Sequence, residues 1–221
     1  MMLILASNSP RRRQLLGLTG WEFEVHSAAV DERVLDGESA DHYVRRTAEL
    51  KARAVLSLLP PVKLADDLVI ACDTTVVDDG HILGKPGDDH EASLMLHRLR
   101  GRMHQVYSAL MIIKPNDGVT RQDLCVTDVP MREYSEDEIQ AYVASGDPLD
   151  KAGAYAIQHT GFHPVENLSG CYANVMGLPL CHLARTLQQF DCLPLVNVSQ
   201  ACQMALSYDC PIYARILSGE L

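Results

Sequence analysis

The chain has 221 residues, 47% of them hydrophobic and 22% charged, a composition typical of a globular protein large enough for a sizeable core. Its formal net charge of -10 at pH 7 disfavours binding to the phosphate backbones of nucleic acids. A small anionic ligand in a locally basic pocket remains compatible with that charge. Since no apolar run approaches the ~20 residues of a membrane-spanning helix, we expect neither nucleic acid nor membrane as a partner.

The 7 cysteines are scattered, without a Cys-x-x-Cys pair or a zinc-ligand spacing with histidine. This usage is typical of reduced thiols in a cytosolic protein. The N-terminal run MMLILASNSPRRR places its positive charges after a short apolar run, the reverse of a signal peptide. The sequence therefore predicts a cytoplasmic location.

The first 20 residues predict a strand, a hydroxyl-rich loop and a helix. Met2 to Ala6 is apolar, and Ser9 and Pro10 suit the N-cap and the first helical position. Three arginines, Arg11 to Arg13, fall in the first turn, where the helix dipole disfavours cations unless an anion is bound. Because a helix start also offers free N–H groups to phosphate, this loop is a candidate anion site. A solvated basic turn is the alternative.

The next segment predicts a strand, a loop with two acids and a long helix that carries Lys51. A helical lysine or a loop acid pair is, on its own, most often solvated. The elements expected here are a strand over 22–25, a loop with Asp31 and Glu32, and a helix over 39–58 that ends at Pro60 and Pro61.

The stretch from Val69 to Pro86, VIACDTTVVDDGHILGKP, combines a hairpin pattern with charged groups at its ends. It predicts a buried strand running into Asp73 and two threonines, a tight turn at Asp79-Gly80, and a return to the corner at Lys85. A carboxylate can hold a divalent cation or activate water, and a lysine can hold a phosphate. Taken alone, the segment favours an ordinary hairpin with solvated charges.

The remaining elements follow from periodicity, capping and turn signals. They are a helix over 88–99, a hairpin over 103–114 and 119–134, a helix over 135–146, a strand over 152–158, a hairpin over 165–168 and 172–176, a helix over 177–190 and a short helix over 196–206. Gln158 ends the strand of small residues, and its amide offers the donor and acceptor that could read a base edge. A surface glutamine is the alternative.

Four patches together resemble one family, the Maf or septum-formation-inhibitor-like nucleoside triphosphate pyrophosphatases. They are LASNSPRR (5–12), ACDTTVVDDGHILGKP (71–86), DKAGAYAIQ (150–158) and GCYANVMGLPL (170–180). The resemblance covers residues 2 to 190 in order, and it divides the chain into a Maf-like domain, 1–190, and an extension of unknown role, 191–221. Within the family, Arg11, Thr74 and Gln158 resemble the branch that acts on dTTP and UTP.

The resemblance implies a mixed α/β fold with a strongly bent central sheet, flanking helices and a cleft between two lobes. It also implies a homodimer that uses a divalent cation, Mg²⁺ or Mn²⁺, to split a nucleoside triphosphate into monophosphate and pyrophosphate. Modified pyrimidine nucleotides are further candidate substrates.

Site roles carry over position by position from the same resemblance. Asp73 matches the proton acceptor that activates water, and Arg11, Thr74 and Gln158 match positions that govern base choice. Glu32 joins Asp73 as a metal ligand. The phosphate-binding positions match Ser7, Arg12, Lys51 and Lys85.

Three positions depart from the family's usual pattern: His159 stands where glycine is common, Pro164 where a bulky apolar residue is usual, and Ser108 where threonine is usual. Two alternative functions remain open at this point. One is a nucleotide-binding regulator of cell division with little turnover. The other is the same cleavage of purine triphosphates, as in the related inosine-triphosphate pyrophosphatases, which Arg11, Thr74 and Gln158 disfavour.

Overall fold

The computed structural model describes residues 1–60 and 67–221, which form a mixed six-stranded sheet with helices packed on both faces. The strands are β1 Leu3–Ala6, β2 Phe23–His26, β3 Leu68–Asp78, β4 His81–Leu83, β5 Met103–Lys114 and β6 Val119–Pro130. The α-helices of these residues are α1 Pro10–Gly17, α2 Ala40–Leu58, α3 Asp89–Leu99, α4 Glu136–Ala144, α5 Tyr172–Met176, α6 Leu180–Gln188, α7 Val198–Leu206 and α8 Tyr213–Ser218. The predicted mixed α/β class is confirmed.

Local capping signals set several helix starts as predicted. The Ser9 hydroxyl accepts the N–H of Arg12, and Ser135 and Glu138 form a reciprocal capping box at α4. Ser39 precedes α2 but does not cap it with its side chain, because its hydroxyl donates to Asp41 Oδ1 at 2.6 Å. Pro61, the second proline of the predicted helix end, lies outside the described residues.

The sheet combines parallel and antiparallel pairing in the order β2-β1-β3-β5-β6, and β4 pairs with β3. β1 runs parallel to β2 and β3, while β5 runs antiparallel to β3 and β6. Along β3, alternate side chains enter two cores. Leu68, Ile70 and Cys72 pack with α1, α3 and α6, whereas Val69 and Ala71 pack against α2. Asp73, which follows in the same alternation, is therefore on the α2 side of the sheet.

Three predicted strands are wrong. Residues 152–158 form a 3-10 turn and a β-turn, because Gly153 and Ala154 adopt left-handed backbone angles (φ 70° and 62°) that a strand cannot accommodate. Neither strand of the predicted hairpin over 165–176 forms. Within 165–168 only Val165 pairs, in an isolated bridge to Met131, and residues 172–176 are helix α5. That helix begins where Cys171 Sγ accepts the N–H of Asn174, and it ends at Gly177, whose φ is 109°.

The extension from residue 191 packs onto the same core as the rest of the chain. Cys192 and Val198 are buried in the larger hydrophobic cluster, and Trp21 Nε1 donates to the carbonyl of Leu193 at 2.9 Å. All seven cysteines are free thiols. Across residues 1–60 and 67–221, the helices are too short or too polar to cross a membrane.

Gly153 supports the first testable prediction, because a Cβ there would lie 2.8 Å from Val76 Cγ2 in a backbone of φ 70°. We expect Gly153→Ala to lower the free energy of unfolding by about 2–5 kcal/mol, through left-handed strain plus overpacking. Gly146→Ala is the matched control, since it has φ 72° and no atom within 4 Å of its Cβ position. It should cost only about 1–2 kcal/mol. Equal losses in urea unfolding would contradict the steric contact.

His104 supports a prediction about pH. It is 2% exposed, its Nε2 lies 2.8 Å from Tyr155 Oη, and burial lowers its pKa from 6.5 to about 4. As the pH falls from 6.5, the unfolded chain takes up this proton first, so stability decreases by about 1.4 kcal/mol per pH unit for this group. His104→Gln should reduce that slope between pH 6.5 and 5, whereas His90→Gln, at an exposed position, should keep it. Urea unfolding across the range measures both, and an unchanged slope in His104→Gln would refute the assignment.

Candidate active site

A cavity of about 340 Å³ brings together all nine residues that the sequence analysis assigned to a site. They are Ser7, Arg11, Arg12, Glu32, Lys51, Asp73, Thr74, Lys85 and Gln158. These residues come from the loop after β1, the start of α1, the loop between β2 and α2, helix α2, strand β3, the segment after β4 and the turn at Gln158. The long-range grouping was not readable from any local pattern.

The cavity lies at an interruption in the pairing of β3. On one edge, β3 pairs with β1 through Ile70 and then with β4 from Val76. Between these two ladders, in the described residues, β3 is paired only on its other edge, where Asp73 faces Ala109 and Thr74 faces Ser108 of β5. The free edge therefore borders the loop that leads from β1 into α1.

Arg12 is held by three oxygen atoms from separate parts of the chain. Its Nε donates to the carbonyl of Gly177 at 2.8 Å, and its two terminal nitrogens donate to Ser7 Oγ at 3.3 Å and Thr74 Oγ1 at 3.2 Å. The Gly177 carbonyl also accepts from the thiol of Cys72. These contacts fix the guanidinium at the cavity wall, where it can meet an anionic oxygen.

Lys51 connects the two carboxylates of the site. Its Nζ donates to Asp73 Oδ1 at 2.6 Å and to Glu32 Oε2 at 2.9 Å. Asp73 is 3% exposed, and burial raises the pKa of its carboxyl even though Lys51 and Arg12 oppose that rise. A carboxylate with a raised pKa is a better proton acceptor than an ordinary aspartate.

The donor set of the site suits a hard divalent cation bound together with a phosphate. Within the described part of the chain, Asp73 Oδ2 is buried without a hydrogen-bond partner, and Glu32 adds a second, exposed carboxylate. Mg²⁺ commonly takes one or two carboxylates and completes its shell with water and substrate phosphate. Residues 1–60 and 67–221 contain no cluster of three or more His, Cys, Asp or Glu arranged to hold a metal by themselves.

Arg11 and Gln158 also line the cavity. Arg11 Nη1 lies 3.8 Å from Asp150 Oδ2, and Gln158 is partly exposed in a β-turn. The backbone next to Lys85 is fixed by one hydrogen bond, because the N–H of Gly153 donates to the carbonyl of Gly84 at 3.0 Å.

Lys151 also lines the cavity, although the sequence analysis gave it no role. Its buried ammonium donates to the backbone carbonyl of Asp147, to Asp147 Oδ1 at 2.9 Å and to Asp150 Oδ1 at 2.6 Å. A lysine placed one and four residues after aspartates was the available signal. The three acceptors use all three of its protons, so Lys151 organises the wall rather than offering a free donor.

The cavity is locally basic in an acidic protein. Five basic and three acidic side chains line it: Arg11, Arg12, Lys51, Lys85 and Lys151, against Glu32, Asp73 and Asp150. The formal net charge of the chain is -10. This local excess of positive charge favours a polyanionic ligand.

Two relatives are similar in sequence over most of the chain. The chain is 44% identical over 193 residues to a dTTP/UTP pyrophosphatase of Dehalococcoides mccartyi, a match that covers 87% of this chain and 84% of the relative. It is 48% identical over 186 residues to a dTTP/UTP pyrophosphatase of Methylococcus capsulatus, covering 84% and 89%. The solved structure of the Staphylococcus aureus Ham1 protein aligns with a TM-score of 0.44 and 16% identity over 76% of this chain and 81% of that chain, too weakly to add to the argument.

The family model described as Maf-like protein matches residues 2–190 of the chain. That range includes every residue of the cavity wall and stops where the C-terminal extension begins. The match covers well over half of the sequence, and the relatives are similar over most of their own length. The chain belongs to the Maf-like protein family.

Proposed function

We propose that this protein is a nucleoside triphosphate pyrophosphatase that hydrolyses dTTP and UTP to the monophosphate and pyrophosphate. The observation that carries the proposal is the single cavity in which buried Asp73 lies among Arg12, Lys51 and Lys85. The names of its relatives, dTTP/UTP pyrophosphatases, support the same activity. Modified pyrimidine triphosphates are further candidate substrates, because they would present the same phosphate chain.

In the proposed reaction, Asp73 accepts a proton from a water molecule whose oxygen attacks the α-phosphorus. The bond between that phosphorus and the oxygen bridging to the β-phosphate breaks, and pyrophosphate leaves. Arg12, Lys51 and Lys85 stabilise the negative charge that develops on the leaving group. The hydrogen bonds of Arg12 to three oxygens hold its guanidinium in place before substrate arrives.

A divalent cation, Mg²⁺ or Mn²⁺, is part of the proposal, with Asp73 and Glu32 as its protein ligands. When bound, it would neutralise phosphate charge and polarise the phosphoryl oxygens. Lys51 Nζ donates to both carboxylates, so the two lie close enough together to share one positive charge. The buried, unpartnered oxygen of Asp73 supports this assignment within the described residues.

We assign base choice to the part of the cavity wall at Gln158, the base end, where its amide can present a donor and an acceptor to a pyrimidine edge. The part of the wall at Arg12, Lys51 and Lys85 is the phosphate end. Arg11, which lies beside Asp150, and Thr74, which accepts a hydrogen bond from Arg12, complete the proposed specificity set. From the family resemblance we also propose a cytoplasmic homodimer, which analytical ultracentrifugation of the pure protein would test.

The product assay tests the reaction itself. The protein is incubated with a panel of nucleoside triphosphates and Mg²⁺ or Mn²⁺, and the released phosphates are separated. We expect monophosphate and pyrophosphate from dTTP and UTP, because cleavage is placed next to the α-phosphorus. Orthophosphate and diphosphate would reject the cleavage site, equal turnover of purine triphosphates would reject the base assignment, and binding without turnover would favour the regulatory alternative.

Asp73→Asn tests the proposed base. The amide keeps the size of the side chain but cannot accept the proton, so kcat should fall by roughly 10²- to 10⁴-fold while nucleotide binding persists. Asp31→Asn is the matched control. Asp31 is an exposed carboxylate next to Glu32 in the sequence, and its Oδ2 lies 2.6 Å from Arg33 Nη2. This variant should retain near wild-type kcat. If Asp73→Asn kept the wild-type rate, another group would have to be the base.

A further inference from the structure

Gln158 sits in a β-turn whose backbone is closed by one hydrogen bond. The N–H of His159 donates to the carbonyl of Ala156 at 3.1 Å, so Ile157 and Gln158 are the two central residues. A side chain on a four-residue turn is aimed by the two ends of that turn. The direction of the Gln158 amide therefore depends on what holds Ala156 and His159.

Both ends of this turn are attached to one side chain, that of Tyr142. The N–H of Ala156 donates to Tyr142 Oη at 3.0 Å, and the His159 ring packs edge-on against the Tyr142 ring, with centroids 4.7 Å apart. Tyr142 is 3% exposed, so its bond to Ala156 is shielded from competing water. One buried ring thus spans the turn that presents Gln158.

Tyr142 is itself held in a single orientation. Its hydroxyl donates to Asp147 Oδ2 at 2.7 Å, which leaves a lone pair to accept from Ala156, and its ring stacks on Phe162 at 4.4 Å with 13° between the planes. Asp147 is fixed in turn by the bond from Lys151 at 2.9 Å. A connected path therefore runs from a lysine of the cavity wall through Asp147 and Tyr142 to the Gln158 turn.

We propose that Tyr142 is a positioning residue for base recognition, holding the Gln158 turn so that its amide meets the pyrimidine edge. This role rests on the proposed function, because it concerns the base end of the same cavity. Tyr142 is not among the residues that line the cavity, so it acts through Gln158 and not on the substrate. Its loss should therefore weaken nucleotide binding more than the chemical step.

The test compares Tyr142→Phe with Tyr134→Phe. Both hydroxyls are buried, both rings pack on Phe162, and Tyr134 Oη donates only to the backbone of Leu96, at 2.6 Å. We expect Tyr142→Phe to raise KM for dTTP roughly tenfold, the loss of about one buried hydrogen bond, while kcat stays within twofold. Inhibition by inorganic tripolyphosphate should be unchanged, because it engages only the phosphate end. Tyr134→Phe should leave KM and this inhibition at wild-type values.

Amide hydrogen exchange gives a readout that does not require catalysis. Tyr142→Phe should accelerate exchange at Ala156 and His159, whereas Tyr134→Phe should not. If Tyr142→Phe does not fold, Asp147→Asn keeps the hydroxyl and removes the charge that orients it, and should raise KM by a smaller factor.

Two results would overturn the positioning role: wild-type protection of the turn in Tyr142→Phe, or an equal loss of dTTP and tripolyphosphate affinity. A wild-type protein that releases no pyrophosphate from any nucleotide would instead overturn the proposed function.

Discussion

The ion pair between Lys51 and Asp73 is the interaction around which the rest of the site is arranged. Burial raises the pKa of the Asp73 carboxyl, and the ammonium of Lys51 beside it acts against that rise. Lys51 reaches Asp73 from helix α2, so the packing of that helix on the sheet places the ammonium that opposes this rise. Breaking such a pair leaves one charge uncompensated, which is why both partners must be correctly placed.

Helix α2 accordingly supports the cavity wall as well as the hydrophobic core. Val44, Ala48, Ala52 and Val55 bury one face against Val69 and Ala71 of β3. Lys51 stands next to Ala52 on that helix, and Asp73 comes two residues after Ala71 on the strand. The hydrophobic contact that stabilises the fold thereby sets the separation of the two charges.

Signals that act over a few residues were readable from the sequence. The cap at Ser9, the capping box at Ser135 and the turn at Asp79-Gly80 depend on neighbours in the chain, and the structure has each of them. The segment around Gly153 and Ala154 was misjudged, because small residues suit both a strand and a left-handed turn. Contact with Val76 and Gly84, distant in sequence, decides between the two.

Which side chains line the cavity was predictable mostly through the family resemblance. All nine predicted residues line one cavity, but the part played by Lys151 depends on the turn that brings Asp147 and Asp150 around its ammonium. The contacts of Tyr142 with Ala156 and His159 also could not be predicted from the sequence, because they join residues far apart in the chain. His159, which stands where the family resemblance implies glycine, supplies the ring that packs on Tyr142 and so helps to hold the turn.

In the part of the chain that the structure describes, the unpaired edge of β3 between its ladders with β1 and β4 leaves the room that the cavity occupies. Had β1 continued for three or four more residues beyond Ala6, its backbone could have paired with the free edge of β3 at Asp73 and filled the cavity. Ser7 and Pro10 stop the strand and turn the chain into α1. We therefore expect insertions that lengthen β1 to close the cavity. Insertions at the outer strands of the sheet, β2 and β6, would leave it open.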